Sequence, residues 1–141
     1  MLIGTRDTIC LGESFNLIGS ALGGNPSPTY NYSWNHSGSI SNNLTENPAT
    51  TTQYILTVND GCSNPDSDTV TVTVLSIVPN LITNPIACYG ELGFATYDLA
   101  QKSIYNFNWT QPISTADTII GIVKDSVYLT ITNDFGCSID T

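Results

Sequence analysis

Apolar and polar residues alternate along several short stretches of this chain. In Tyr30-Asn31-Tyr32-Ser33-Trp34-Asn35 the aromatics fall on one side and Asn31, Ser33 and Asn35 on the other. Tyr105-x-Phe107-x-Trp109, Tyr54-x-Leu56-x-Val58 and Val70-x-Val72-x-Val74 follow the same rule, and Phe15-x-Leu17 is a shorter case. A period of two puts one face of an extended segment in a core, so each stretch predicts a half-buried strand. Gly23-Gly24-Asn25-Pro26-Ser27-Pro28 reads as a loop, and Asn59-Asp60-Gly61 is a strong turn signal. No stretch carries a helical period with caps. An all-β chain is expected.

The chain also repeats itself. Cys10-Leu11-Gly12-Glu13 returns as Cys88-Tyr89-Gly90-Glu91, and Tyr30 to Asn35 returns as Tyr105-Asn106-Phe107-Asn108-Trp109-Thr110. Tyr54 to Cys62 returns, more loosely, as Val127 to Cys137. Trp34 precedes Cys62 by 28 positions (62 − 34), and Trp109 precedes Cys137 by 28 (137 − 109). Three blocks in one order mark an internal repeat. Repeat 1 is therefore assigned to residues 1–75 and repeat 2 to 76–141. Domains this small have marginal cores and profit from a staple. The join around Ser76-Ile77-Val78-Pro79-Asn80 is short and contains proline, which predicts a semi-rigid linker.

Strands at this spacing between turns imply two tandem antiparallel β-sandwiches with Trp34 and Trp109 as core anchors. The four cysteines form no CxxC and are widely spaced, which favours disulfides and an oxidising compartment over zinc. Equivalent positions in each copy suggest the pairs Cys10–Cys62 and Cys88–Cys137. Closing a loop of about 50 residues would stabilise each domain by roughly 4 kcal/mol. Cys62 lies beyond the Tyr54-x-Leu56-x-Val58 strand, so the bond should tie the start of the domain to a hairpin end. Aligned on the second cysteine, Thr141 falls level with Asp66, ahead of the Val70-x-Val72-x-Val74 strand. The second sandwich is therefore expected to lack its last strand.

Three basic residues against twelve acidic ones give a net charge of −9, and charged residues are only 11% of the chain. Phosphate neutralisation needs clustered Lys and Arg, so nucleic acid and charge-driven membrane adhesion are excluded as partners. Met1 to Arg6 contains no long apolar stretch and reads as neither signal peptide nor membrane anchor. The catalytic candidates are poor. His36 is the only histidine, and repeat 2 has Gln111 in the corresponding place, so no nucleophile–base pair is expected. Glu13 and Glu91 recur but sit in a turn after a cysteine, where bonding to backbone is the simpler role. Asp60, Asp66 and Asp68, and Asn133 with Asp134, are the places where a structural calcium could bind, without any EF-hand spacing. Asn31, Asn35, Asn43 and Asn108 stand in Asn-x-Ser/Thr sequons.

Asp7-Thr8-Ile9-Cys10-x-Gly12-Glu13, Tyr32-Ser33-Trp34, Asn47-Pro48-Ala49, Thr52-Gln53-Tyr54-x-Leu56-Thr57-Val58-x-Asp60-Gly61-Cys62 and Asp68-Thr69-Val70-Thr71-Val72 resemble the PKD-like or Ig-like tandem repeats of large bacterial surface adhesins. Such repeats occur in gliding-motility adhesins of the SprB type, which leave the cell by type IX secretion. The resemblance spans nearly all of repeat 1 and covers repeat 2 more weakly. The Trp-Asp-Phe-Gly-Asp-Gly-like motif of true PKD domains is absent, since Trp34 is followed by Asn35-His36-Ser37-Gly38. The resemblance implies a secreted, cell-surface, non-catalytic stalk without a cofactor. Its partners would be adjacent repeats and, at most, extracellular polysaccharide or surface ligands. A carbohydrate-binding module attached to a secreted enzyme is the alternative, which a flat exposed row of aromatics would favour.

Overall fold

A computed structural model describes residues 2–4, 7–24, 26, 29–84, 92–98, 102–110, 113–122 and 127–141. It is all-β: among the described residues there are strands and one 3-10 turn, Lys102–Ile104, but no α-helix. The chain divides into two compact units, Met1–Leu75 and Ser76–Thr141.

The first unit contains β1 (Leu2–Gly4), β2 (Thr8–Cys10), β3 (Phe15–Gly19), β4 (Asn31–Trp34), β5 (Asn43–Glu46), β6 (Thr52–Asn59) and β7 (Asp66–Leu75). One sheet has the order β1-β3-β5 and the other β2-β7-β6-β4. Phe15, Leu17 and Leu44 of the first meet Ile9, Trp34, Tyr54, Leu56 and Val72 of the second in one buried cluster. The alternation explains which residues go in. Tyr54 and Leu56 are buried while Gln53 is exposed; Phe15 and Leu17 are buried while Ile18 is exposed. Gly19 is the last residue of β3, and a Cβ there would stand 2.1 Å from Leu56 Cδ2, so a larger residue would have to displace that core side chain.

The second unit contains β8 (Asn80–Asn84), β9 (Gly93–Asp98), β10 (Tyr105–Thr110), β11 (Ile113–Ser114), β12 (Thr118–Ile122), β13 (Leu129–Asn133) and β14 (Ser138–Asp140). Its sheets have the orders β12-β9-β8 and β11-β10-β13-β14. Ala95, Tyr97 and Ile119 face Phe107, Trp109, Leu129 and Ile131. Strand for strand, β5-β3-β1 in the first unit matches β12-β9-β8, and β4-β6-β7 matches β10-β13-β14. The cores trade aromatics between sheets. Tyr54 of β6 meets Phe15 of β3 edge-on at 5.1 Å, whereas Tyr97 of β9 leans on Trp109 of β10 at 6.0 Å.

Both tryptophans are buried, each 2% exposed. Each is pinned the same way. Trp34 sits opposite Leu56, and its Nε1 donates to the Ser41 carbonyl at 2.8 Å. Trp109 sits opposite Leu129, and its Nε1 donates to the Ala116 carbonyl at 2.8 Å. A buried indole N–H without a partner would cost about 1–3 kcal/mol, so these carbonyls fix where each loop must pass. The aromatic row is less uniform than alternation predicts: Tyr32 is half-buried, and Tyr30 lies ahead of β4.

Three expectations need correction. The sheets are not wholly antiparallel, because β2 runs parallel to β7, with Cys10 opposite Leu75. That register also rules out the Cys10–Cys62 bond. Cys62 precedes the start of β7 at Asp66 and Cys10 lies level with its end at Leu75, a separation of about 30 Å at strand rise. A disulfide needs Cα atoms within about 7 Å. Cys62 is a free, exposed thiol, while Cys10 and Cys137 are both disulfide-bonded. The Cys88–Cys137 expectation involves Cys88, which lies outside the described residues.

The third correction concerns the last strand of the second unit. It is present as β14, three residues long where β7 has ten. Leu129 exchanges two backbone bonds with Thr141, at 2.9 and 3.0 Å, which sets Thr141 level with Asp68 rather than Asp66. The cause is a tighter hairpin. Thr132 pairs with Ser138, so the turn spans only 133–137, whereas Val58 pairs with Asp66 across 59–65.

Replacing Trp34 by Ala is expected to destabilise the first unit by about 3–5 kcal/mol, read from the urea midpoint. A wild-type midpoint would show that the indole is not a core anchor. The Tyr54 hydroxyl has its pKa raised, first by burial and then by Glu46. A raised folded pKa means stability present below the ordinary tyrosine value and lost as pH climbs through the folded one. Alkaline unfolding above pH ~10 should therefore be shallower in Tyr54→Phe than in wild type; identical curves would contradict this.

Candidate functional site

Alternation along β7 continues past the core. Val70, Val72 and Val74 pack inward, and the same face carries Asp68 and Asp66 toward the strand's start. Both lie opposite core-side residues of β6, Asp68 across from Leu56 and Asp66 across from Val58. The result is an open cleft of about 330 Å³ at the mouth of the first sandwich. Leu56 and Val58 form its apolar floor, Asp66 and Asp68 one wall, and Tyr30 and Gly24 of the β3–β4 loop contribute to the rest. Carboxylates at inward positions also discourage pairing with foreign strands.

Asp60 is the anchor of this region and is only 6% exposed. Its Oδ1 accepts from Cys62 N at 3.0 Å, Ser63 N at 2.8 Å and Ser63 Oγ at 2.9 Å. A Cβ on Gly24, which has φ +67°, would come within 2.4 Å of Asp60 Oδ2, so the two loops are fitted together here. Tyr30 donates its hydroxyl proton to the Gly23 carbonyl and fixes the other end of the β3–β4 loop. Asp60 thus serves as a hydrogen-bond acceptor that shapes the hairpin. Asp66 and Asp68 accept from the following amides, Ser67 N at 2.9 Å and Thr69 N at 2.8 Å. Among the described residues no group of three His, Cys, Asp or Glu side chains is placed to hold a metal ion.

The other sequence candidates lie apart from this cleft. Glu13 Oε2 accepts from Cys10 N at 2.9 Å, and Glu13 N donates to the Cys10 carbonyl at 3.0 Å, so the carboxylate closes its own turn. Its counterpart Glu91 is outside the described residues, as is Gln111. His36 sits in an exposed turn with its ring 5.3 Å from Tyr54, where it is packed against an aromatic rather than a nucleophile. Asn133 Oδ1 accepts from Phe135 N and Cys137 N, which makes it a turn residue; Asp134 is exposed. Asn31, Asn43 and Asn108 are exposed on strands. Asn35 is used structurally, donating Nδ2 to Gln53 O at 3.3 Å and accepting from Ile55 N at 2.9 Å. Alternation reaching into Asp66 and Asp68 is the sequence signal that could have located the cleft. The part played by Tyr30 and Gly24 depends on loop packing that no local pattern encodes.

No protein-family model matches this chain, and no curated protein matches it.

Removing the Asp60 carboxylate strands three donors at once. Asp60→Ala is expected to cost about 1–3 kcal/mol, while Asp60→Asn, which keeps the Oδ1 acceptor, should lose clearly less. Equal losses in urea denaturation would show that the carboxylate acts by charge and not as an acceptor.

Proposed function

We propose that this chain is a pair of Ig-like, PKD-like tandem repeats of a large bacterial surface adhesin, acting as a non-catalytic stalk that holds a binding region away from the cell. The observation that supports it most is the shared plan of the two units: three strands of each sheet fall in matching order, and the same tryptophan is pinned to a carbonyl seven residues on. Repeated folds whose candidate chemistry is not repeated are what a spacer requires. By sequence, His36 has no counterpart in the second repeat, which has Gln111 there. A cell-surface location with export by the type IX route follows from this reading, as do adjacent repeats as the principal partners. Short proline-containing joins suit an array that must keep its reach.

The cleft supports a second reading, a carbohydrate-binding module. Tyr30, Asp66, Asp68 and Ser63 could together grip a polyhydroxylated ligand over an apolar floor. A glycan array with the whole chain separates the two readings. The stalk predicts no retained glycan, and binding abolished by Asp66→Ala would replace it with the carbohydrate reading. The stalk as proposed also needs no metal. Chelation should leave the melting temperature unchanged, and a rise on adding calcium would assign the acidic cleft as a cation site instead.

A further inference from the structure

The edges of the four sheets are not protected alike. A strand at an edge carries backbone donors and acceptors on its outer side that can pair with a strand of another molecule. Proteins blunt such edges with charge, bulges, proline or brevity. In the second unit β12 is broken by a bulge between Ile120 and Ile122, β11 has two residues, and β14 has three and carries Asp140. In the first unit β1 and β2 have three residues each, β5 ends on Glu46, and β4 bonds its own following loop, Trp34 N donating to the Ser39 carbonyl at 3.2 Å. Strand β8 has none of these devices. It runs five residues, Asn80–Asn84, in unbroken register with β9, without a charge and exposed at every position. It ends the order β12-β9-β8, and no described strand pairs with its other side.

The strand is also complementary to itself. Asn80-Leu81-Ile82-Thr83-Asn84 has asparagine at both ends, isoleucine at its centre, and leucine and threonine between. Laid antiparallel on a second copy about Ile82, Asn80 meets Asn84, Leu81 meets Thr83, and Ile82 meets Ile82. A two-fold axis perpendicular to the sheet keeps each side chain on its own face. Leu81 and Thr83, which lie across from the core residues Tyr97 and Ala95, stay on the core side, and Ile82, across from Thr96, stays on the outer side. Leu81 is 47% exposed and Ile82 44%, so both gain cover from the pairing. Two copies of a chain with net charge −9 repel each other, and an uncharged edge is where their approach costs least. We propose that β8 is a self-association edge, and that its occupant is the β8 strand of a second copy of this chain. The two join as one continuous sheet in the order β12-β9-β8-β8-β9-β12. A five-residue strand pair covers far less than the about 800 Å² per partner of a stable complex, so one such contact is weak and concentration-dependent. The inference concerns copies of the chain and holds under either reading of its function.

The test is sedimentation of the whole chain over a range of concentrations, with Cys62→Ser as background so that its exposed thiol does not join copies. A monomer–dimer equilibrium is expected, and it should tighten as added salt screens the repulsion between two acidic chains. Ile82→Lys sets like charges directly opposite each other at the two-fold axis and should weaken the dimer about tenfold. Its side chain lies on the outer face, so the melting temperature of the monomer should not change. Register is read separately with a short thiol-to-thiol cross-linker. Ile82→Cys should yield a covalent dimer, and Thr83→Cys, whose partner position is Leu81, should yield little above background. A chain that stays monomeric up to about 1 mM would overturn the proposal. So would a dimer that Ile82→Lys leaves intact, or cross-linking as efficient through Thr83→Cys as through Ile82→Cys.

Discussion

Everything in each unit is arranged around one buried tryptophan whose ring and N–H are satisfied separately. The ring sits across from a leucine on the neighbouring strand, Leu56 for Trp34 and Leu129 for Trp109. The N–H reaches a loop carbonyl, Ser41 or Ala116. The first contact fixes the register of the central strand pair, and a one-residue slip would turn the indole outward. The second forces the following loop to lie over the end of the core. Around that pair the remaining positions adjust. Gly19 gives way to Leu56, and the large aromatic is supplied by β6 in one unit and by β9 in the other.

With the cores closed in this way, the chain's distinguishing chemistry is left at the ends of the sandwiches. In the first unit the inward face of β7 passes from valine to aspartate before the sheet ends, and the β3–β4 and β6–β7 loops frame the cleft that results. The hairpin that supplies Asp60 also presents Cys62 to solvent. The β2 end presents Cys10 beside Leu75, where the first unit stops.

Much of the strand content was legible because period-two alternation is a direct consequence of burying one face. It located β3, β4, β6, β7 and β10, and the loose recurrence of Tyr54 to Cys62 as Val127 to Cys137 covered β13. Strands β5 and β12 were not legible: each contributes one fully buried side chain, Leu44 or Ile119, too few to show a period. The parallel pairing of β2 with β7 joins residues far apart in sequence and leaves no local trace. The cysteines show a subtler failure. The equal spacing from Trp to second Cys conceals two differences that cancel. Leu56 follows Trp34 by 22 positions (56 − 34) and Leu129 follows Trp109 by 20 (129 − 109), while Cys62 follows Leu56 by 6 (62 − 56) and Cys137 follows Leu129 by 8 (137 − 129). Repeat spacing identified equivalent residues but carried no information on which end of a strand each one occupies, and a disulfide depends on that alone. In the cleft, the acidic wall was written in the alternation, whereas the contact between Gly24 and Asp60 came from two loops meeting.

The dependence of both units on the indole pin can be read proton by proton. Hydrogen exchange followed at the two indole Nε1–H groups and at the amides of Leu56 and Leu129 tests it most directly. If the pin holds each core, both indole protons exchange only through global unfolding of their unit, as slowly as the most protected strand amides. An indole proton that exchanges at the rate of an exposed loop amide, while Leu56 or Leu129 stays protected, would contradict the account.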